Sequence, residues 1–478
     1  MIRRTALLIL SACLGPTAWC ADASLPPSVA QMGRALDRNS QGYVLLEELT
    51  TRIGQRMSAT DHGVAAEEFV FRKLKQYGFK DVRFDEFPLA SWKRGTTELQ
   101  VGAETLKAAA LVYTPAAADI TAELVDVGNG TSEDYSFDYD KVRGKIALIY
   151  SATLPGTPPE VPRLPRWEKL ALAVGHGAKG VILINPSEGD YVTTGIAGGS
   201  ARQVDVPVVM IGRDSGNRLR DQLKSEVRSA HIRMVNVVGP GVARNVVATM
   251  KGTQWPDEVV VLGGHLDSLD LATGAVDDGT GSMWVLDVAR GLMARGFKPK
   301  RTVRFVFFMG EEEGLVGSYS YVREQIAAGT IGQVKYMINT DMSFDPTQFK
   351  LWGGNPDGAF LESLSAEIHK IDPRFASYST SGAGGSQSTD AQPFIEQGIP
   401  VGYAEGEWTK EAGRCVHADC DTLHWVSPEG MKHSAVVGAM LIAALADSDT
   451  PVARRFDVAQ FYQDENIKPG YRGPAPPK

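Results

Sequence analysis

Cysteine is scarce in this chain: Cys13, Cys20, Cys415 and Cys420 are the only four among 478 residues. That scarcity excludes a disulfide-stapled small fold and a multi-cysteine zinc finger, so any metal chemistry falls to His, Asp and Glu. Basic clusters are missing too. Against 49 Lys and Arg stand 57 Asp and Glu, a formal charge of −8, and no dense basic run occurs, so nucleic acid is not an expected partner. Beyond the first 23 residues no apolar run is long enough to cross a membrane as a helix. There is no Gly-x-Ser-x-Gly elbow and no His-Glu-x-x-His, which argues against a serine hydrolase of the elbow type and a helix-borne single-zinc protease. What is present suits a large self-cored protein: 43% apolar and 22% charged residues, in a chain long enough for roughly three domains.

Residues 1–23 read as an export signal. Arg3 and Arg4 precede an apolar stretch from Ala6 to Leu14, and small residues at Ala18-x-Cys20 or Ala21-x-Ala23 suit cleavage. This predicts a secreted or periplasmic protein. Leu10-Ser11-Ala12-Cys13 also has the form of a lipobox, so a lipid anchor at Cys13 is the alternative to a soluble mature chain. Export leaves Cys415 and Cys420 as the remaining thiols in an oxidising compartment, where a short disulfide between them is expected.

The rest reads as one domain interrupted by another: a first part over 24–110, an interrupting domain over 111–238, a second part over 239–450, and a Pro-rich extended tail over 451–478. Ala66, Phe69, Val70, Leu74 and Tyr77 recur at helical spacing before a Gly78 cap, and Val82, Phe84 and Phe87 follow at strand spacing. The interrupting domain predicts short strands at Lys145–Tyr150, Val181–Asn185 and Val206–Ile211 around a helix at Trp167–Gly177. After it, Val259–Leu262, Thr302–Met309 and Tyr336–Asn339 are continuous apolar or β-branched runs, as expected of central strands covered on both faces. Helices are expected at about 281–295, 316–327, 357–371 and 430–446 between and after them. The fold class is therefore α/β, a mostly parallel mixed sheet sandwiched by helices.

Sites in such sheets form where strands end. Here those positions hold His265, Glu311-Glu312 and Asp341, with Asp277-Asp278 in the loop after His265 and His417 before the last helix. Carboxylates gathered in one cleft repel unless cations neutralise them. Asp277, Glu312, Asp341 and one hydroxide balance two divalent ions, with His265 and His417 adding neutral nitrogens. This mixed ligation suits zinc, with cobalt and manganese as alternatives.

The stretches Gly264-His265-Leu266-Asp267-Ser268, Gly274-Ala275-Val276-Asp277-Asp278-Gly279, Glu311-Glu312-Glu313-Gly314-Leu315, Asn339-Thr340-Asp341 and His417 with Asp421-Thr422 together resemble the co-catalytic dizinc aminopeptidase family, which includes glutamate carboxypeptidases. The resemblance is strongest to the plasma glutamate carboxypeptidase (carboxypeptidase Q) subgroup. The interrupting segment, with Gly144-Lys145-Ile146-Ala147-Leu148-Ile149 and Gly177-Ala178-Lys179-Gly180-Val181-Ile182, resembles a protease-associated (PA) domain. The resemblance implies a zinc-exopeptidase fold with an inserted β-rich PA domain. It implies two zinc ions bridged by Asp277, one completed by His265 and Asp341 and the other by Glu312 and His417, with a hydroxide shared between them. Asp267 would orient the His265 ring and Glu311 would act as general base. The family often has a cis bond at the position of Asp277–Asp278. His424 is read as structural, and the Gly/Ser-rich segment Ser379–Thr389 as a specificity pocket or a plain loop. The PA domain is expected to cover the cleft and limit substrate length. Expected partners are short peptides or dipeptides, cleaved by aminopeptidase or dipeptidase action because an acidic cleft suits an α-amino group. A homodimer stays open. Alternatives are a single-zinc glutaminyl cyclase on the same scaffold and a non-catalytic, receptor-like binding protein.

Overall fold

The computed structural model describes residues 25–464 apart from 137, 139, 200 and 381–387. The export segment 1–23 with Cys13, most of the Ser379–Thr389 segment and the end of the tail lie outside the described residues.

The strand Trp255–His265 is central, because its run of apolar residues can be buried on both sides. Val260 and Leu262 pack into the core on one face, Val259 and Val261 into the core on the other. It pairs in parallel with Arg301–Phe308 on one side and with Val334–Asn339 on the other. Val401–Glu405, Gln348–Trp352 and Ser377–Ser379 extend the sheet beyond Val334–Asn339. The helices Pro27–Asn39, Gly42–Arg52, Thr280–Ala294 and Pro428–Asp447 cover one face, while Val316–Ala327 and Gln392–Ile395 pack over the other. Four of these or neighbouring helices, Thr280–Ala294, Val316–Ala327, Gly358–His369 and Pro428–Asp447, lie within two residues of the expected positions.

On its other edge, Arg301–Phe308 pairs antiparallel with Arg228–Met250, a strand of 23 residues. That strand pairs along its length with the 21-residue strand Asp81–Val101. A register shift falls at Gly95, where a Cβ would stand 2.1 Å from the Val235 carbonyl oxygen, so the bulge needs glycine. The sheet then continues through Ala117–Gly128, Ile146–Tyr150, Gly180–Ile184, Val208–Ile211 and Ala108–Ala110. One sheet thus passes through both domains. The junction expected at 238/239 lies inside a strand, because Arg228–Met250 belongs to both domains at once. The tail expectation is also corrected. Val452 and Ala453 are buried, and Val458–Asp464 is helical with the Phe461 ring packed at a tilt against Phe456.

Candidate metal centre

Three parallel strands deliver the first side chains. His265 is the last residue of its strand, Glu311-Glu312 follow Arg301–Phe308, and Asp341 follows Val334–Asn339. Gly264 permits the close approach: a Cβ there would stand 2.1 Å from Thr340 Oγ1 and 2.6 Å from Asp278 Oδ2. Asp277 lies in the turn Ala275–Gly279, with a cis bond to Asp278, and His417 follows the short helix Lys410–Cys415 with φ of 61°.

Asp277 stands between two groups. Its Oδ1 is 3.1 Å from His265 Nε2, which also lies 3.6 Å from Asp341 Oδ1. Its Oδ2 is 3.0 Å from His417 Nε2, which lies 3.2 Å from Glu312 Oε2. His265, Asp277 and Asp341 form one set of donor atoms mutually within 4.8 Å; Asp277, Glu312 and His417 form another. The five residues expected to converge are therefore brought together.

The electrostatics suit bound cations. Burial opposes the charge on both imidazoles, yet the carboxylates around them prevail and hold both well above the ordinary histidine range. Burial likewise opposes ionisation of Asp277, but hydrogen bonds from His265 and His417 overcome it and hold the carboxyl well below its usual range. Glu312 is pushed up, first by burial and then by Asp277, and its Oε1 is buried without a hydrogen-bond partner. A donor set of three carboxylates and two imidazoles with an unsatisfied buried oxygen fits divalent metal ions.

Glu311 is half-buried at the rim of a cleft, also lined by Glu312, Gly314 and Leu315 and, from the inserted domain, by Trp167 and Ile196. Burial first, then Asp341, Glu312 and Asp390, push its carboxyl well above the usual range, with His265 opposing. Asp267 faces the His265 ring with both its carbonyl and its carboxylate. His265 Nδ1 is 3.1 Å from the Asp267 carbonyl oxygen and 3.6 Å from its carboxylate. The carboxylate also accepts the backbone N–H groups of Glu312 at 3.1 Å and Glu311 at 3.4 Å, tying the loop after one strand to the loop after the next. Asp278 turns away from the donor atoms; its Oδ1 accepts from the N–H groups of Gly281 and Met342. His424 packs edge-on against Trp425, outside both donor sets. Cys415 and Cys420 form a disulfide around His417.

Two supporting residues went unread in the sequence. Arg56 is fully buried, and its guanidinium donates to the carbonyls of Leu266, Thr273 and Gly274, bracing the loop between His265 and Asp277. Asp421 accepts the N–H groups of Val276 at 2.7 Å and Asp277 at 3.2 Å. Asp421 stands in a quoted motif, which was the available signal; Arg56 had none.

Residues 245–442 match the model of peptidase family M28, and residues 108–219 that of the PA domain. A probable leucine aminopeptidase 2 of Aspergillus oryzae is 28% identical over 83% of this chain and 81% of its own length. Carboxypeptidase Q of Mus musculus is 24% identical over 87% of each chain. The solved peptidase M28 precursor of Shewanella amazonensis has the same fold, with a TM-score of 0.76 and 22% identity over 90% of this chain and 98% of its own. Taken with the five converging side chains, these likenesses identify a peptidase family M28 catalytic domain and a PA domain in this chain, a metallo-exopeptidase.

Proposed function

We propose that this chain is an exported dizinc exopeptidase that removes the N-terminal residue of short peptides or splits dipeptides. The observation that carries the reading is the division of Asp277, with one oxygen toward His265 and the other toward His417. A carboxylate so placed can bridge two ions, one held further by Asp341 and the other by Glu312. Zinc suits the mixed donors. Bound there, zinc ions would polarise a scissile carbonyl and acidify water.

The chain's own groups handle the proton and the substrate. Glu311 is outside both donor sets and lines the cleft beside Glu312, so it can take a proton at its carboxylate and return it to a leaving amine. Asp267 keeps Glu311 and Glu312 in register by holding their backbone N–H groups. The acidic surroundings attract an α-amino group. The cleft, about 170 Å³, lies below the 300–1,000 Å³ typical of drug-sized sites, and Trp167 and Ile196 wall it, which supports a short substrate. The name of the Aspergillus relative supports amino-terminal action. The Cys415–Cys420 disulfide supports reading residues 1–23 as an export signal.

The test is a panel of free and N-acetylated dipeptides assayed beside zinc counting. Hydrolysis of the free set alone, with two zinc per chain, is expected. Equal cleavage of both sets would remove the aminopeptidase reading, and a single zinc per chain would remove the dinuclear one.

A further inference from the structure

His417 is the one donor in these sets whose backbone lies in the left-handed region, with φ of 61°. A non-glycine residue stays there only when its surroundings over-determine it. Part of that restraint is internal: the disulfide closes the loop around His417, and Asp421 anchors its far end to Val276 and Asp277. The rest comes from the inserted domain. The Thr194 N–H donates to the His417 carbonyl at 3.0 Å, and Thr193 pairs antiparallel with Ala418. Glu188 accepts from Lys410 Nζ at 3.1 Å and from Arg414.

Thr194 is itself held rigidly. It is fully buried, its hydroxyl donates to the Ala110 carbonyl at 3.1 Å, and it accepts from Arg94 at 2.9 Å. Arg94 in turn grips both carboxylate oxygens of Asp270. The donors peculiar to the other metal set are held by the catalytic sheet. His265 ends a central strand with its Nδ1 on the Asp267 carbonyl, and Asp341 follows a central strand.

We infer that Thr194 and Glu188 of the inserted domain are positioning residues for His417, so that this domain sets the metal affinity of the Asp277–Glu312–His417 site and leaves the His265–Asp277–Asp341 site unaffected. The inference rests on the dinuclear reading above. It gives the insertion a second role besides walling the cleft.

Competition titration of the full-length chain with zinc against a chromophoric chelator tests it, with His417→Ala identifying which binding step belongs to the His417 site. Glu188→Lys sets a cation against Lys410 and Arg414, and Thr194→Pro deletes the N–H donor. Each is expected to weaken the His417 step by about fivefold or more, the scale of one lost hydrogen bond, with the other step within about twofold. Combining Glu188→Lys with Lys410→Glu and Arg414→Glu restores the pairing with reversed sign and is expected to recover the affinity, which a general folding defect would not do. Glu188 is exposed, so its variants keep the test decisive if Thr194→Pro does not fold. Unchanged steps in Glu188→Lys, equal weakening of both steps, or no recovery in the swap would overturn the brace. A wild-type chain with a single zinc step would instead overturn the dinuclear reading beneath it.

Discussion

The two halves of the continuous sheet follow the same rules of packing and end their strands differently. In the inserted half, Ile146–Tyr150, Gly180–Ile184 and Val208–Ile211 are parallel, wholly buried and apolar, and they run out into Ser151, Asn185 and Gly212. The buried charge beside them, Lys169, is bonded to the carbonyls of Tyr150 and Ala152. In the catalytic half, strands of the same kind run out into His265, Glu311-Glu312 and Asp341, with Asp267, Asp278, Glu313 and Asp390 buried around them. Burying an ion costs several kcal/mol unless it is paired. Carboxylates gathered from the ends of three strands into one small volume are therefore a sign of chemistry, and strands that end in neutral residues are a sign of scaffolding. Asp390 carries the same mark, pushed up to about 7 mainly by burial.

If that contrast is right, substitutions in the two halves should separate activity from stability. The largest effect is expected for Glu311→Gln, which should lower kcat by about 10²–10⁴-fold. Its zinc content should stay at the wild-type level, because Glu311 stands outside both donor sets. Loss of zinc in this variant would mean that Glu311 is a ligand and the roles of the pair are exchanged. Ile182→Ala in the inserted half should do the reverse. It should cost about 2–5 kcal/mol in denaturant unfolding for a fully buried position, with the zinc stoichiometry intact.

Smaller effects sharpen the contrast. Asp267→Asn weakens the tie between His265 and the Glu311-Glu312 loop, and zinc affinity should fall by about 10–100-fold in chelator competition. Lys169 provides a pH test in the scaffold half. Burial lowers its ammonium from 10.5 to about 8, so between those values the unfolded chain holds a proton that the native chain lacks. Stability then rises with pH across that window, at up to about 1.4 kcal/mol per pH unit, and Lys169→Met should flatten this rise relative to wild type. The smallest change is expected from Lys145→Ala. Its ion pair with Glu123 is solvent-exposed, at 34% and 41% of the two side chains, so stability should move by less than about 0.5 kcal/mol.

The central strands were legible because a strand buried on both faces must be apolar without interruption, and Val259–Leu262 is. The clustered donors were legible because they stand at strand ends within recognisable motifs. The surroundings of Asp267 were legible only in part, for a local reason. Spacing by two keeps side chains on one face only while the strand continues, and the strand stops at His265, so the carbonyl of Asp267 meets the ring before its carboxylate does. The boundary at 238/239 was misread because change of composition marks a domain's loops and cannot reveal a strand shared by two domains.

From residue order alone came the apolar runs, the helices between them, and the imidazoles and carboxylates waiting where those runs stop. These follow from periodicity and burial over a few neighbouring residues. Only closure of the chain decided which oxygen of Asp277 faces which histidine, that Arg56 braces a loop 210 residues away, and that Thr194 holds His417 from another domain. Contacts at that separation leave no local pattern, because they are selected by the geometry of the finished fold and by the need to satisfy each buried polar group.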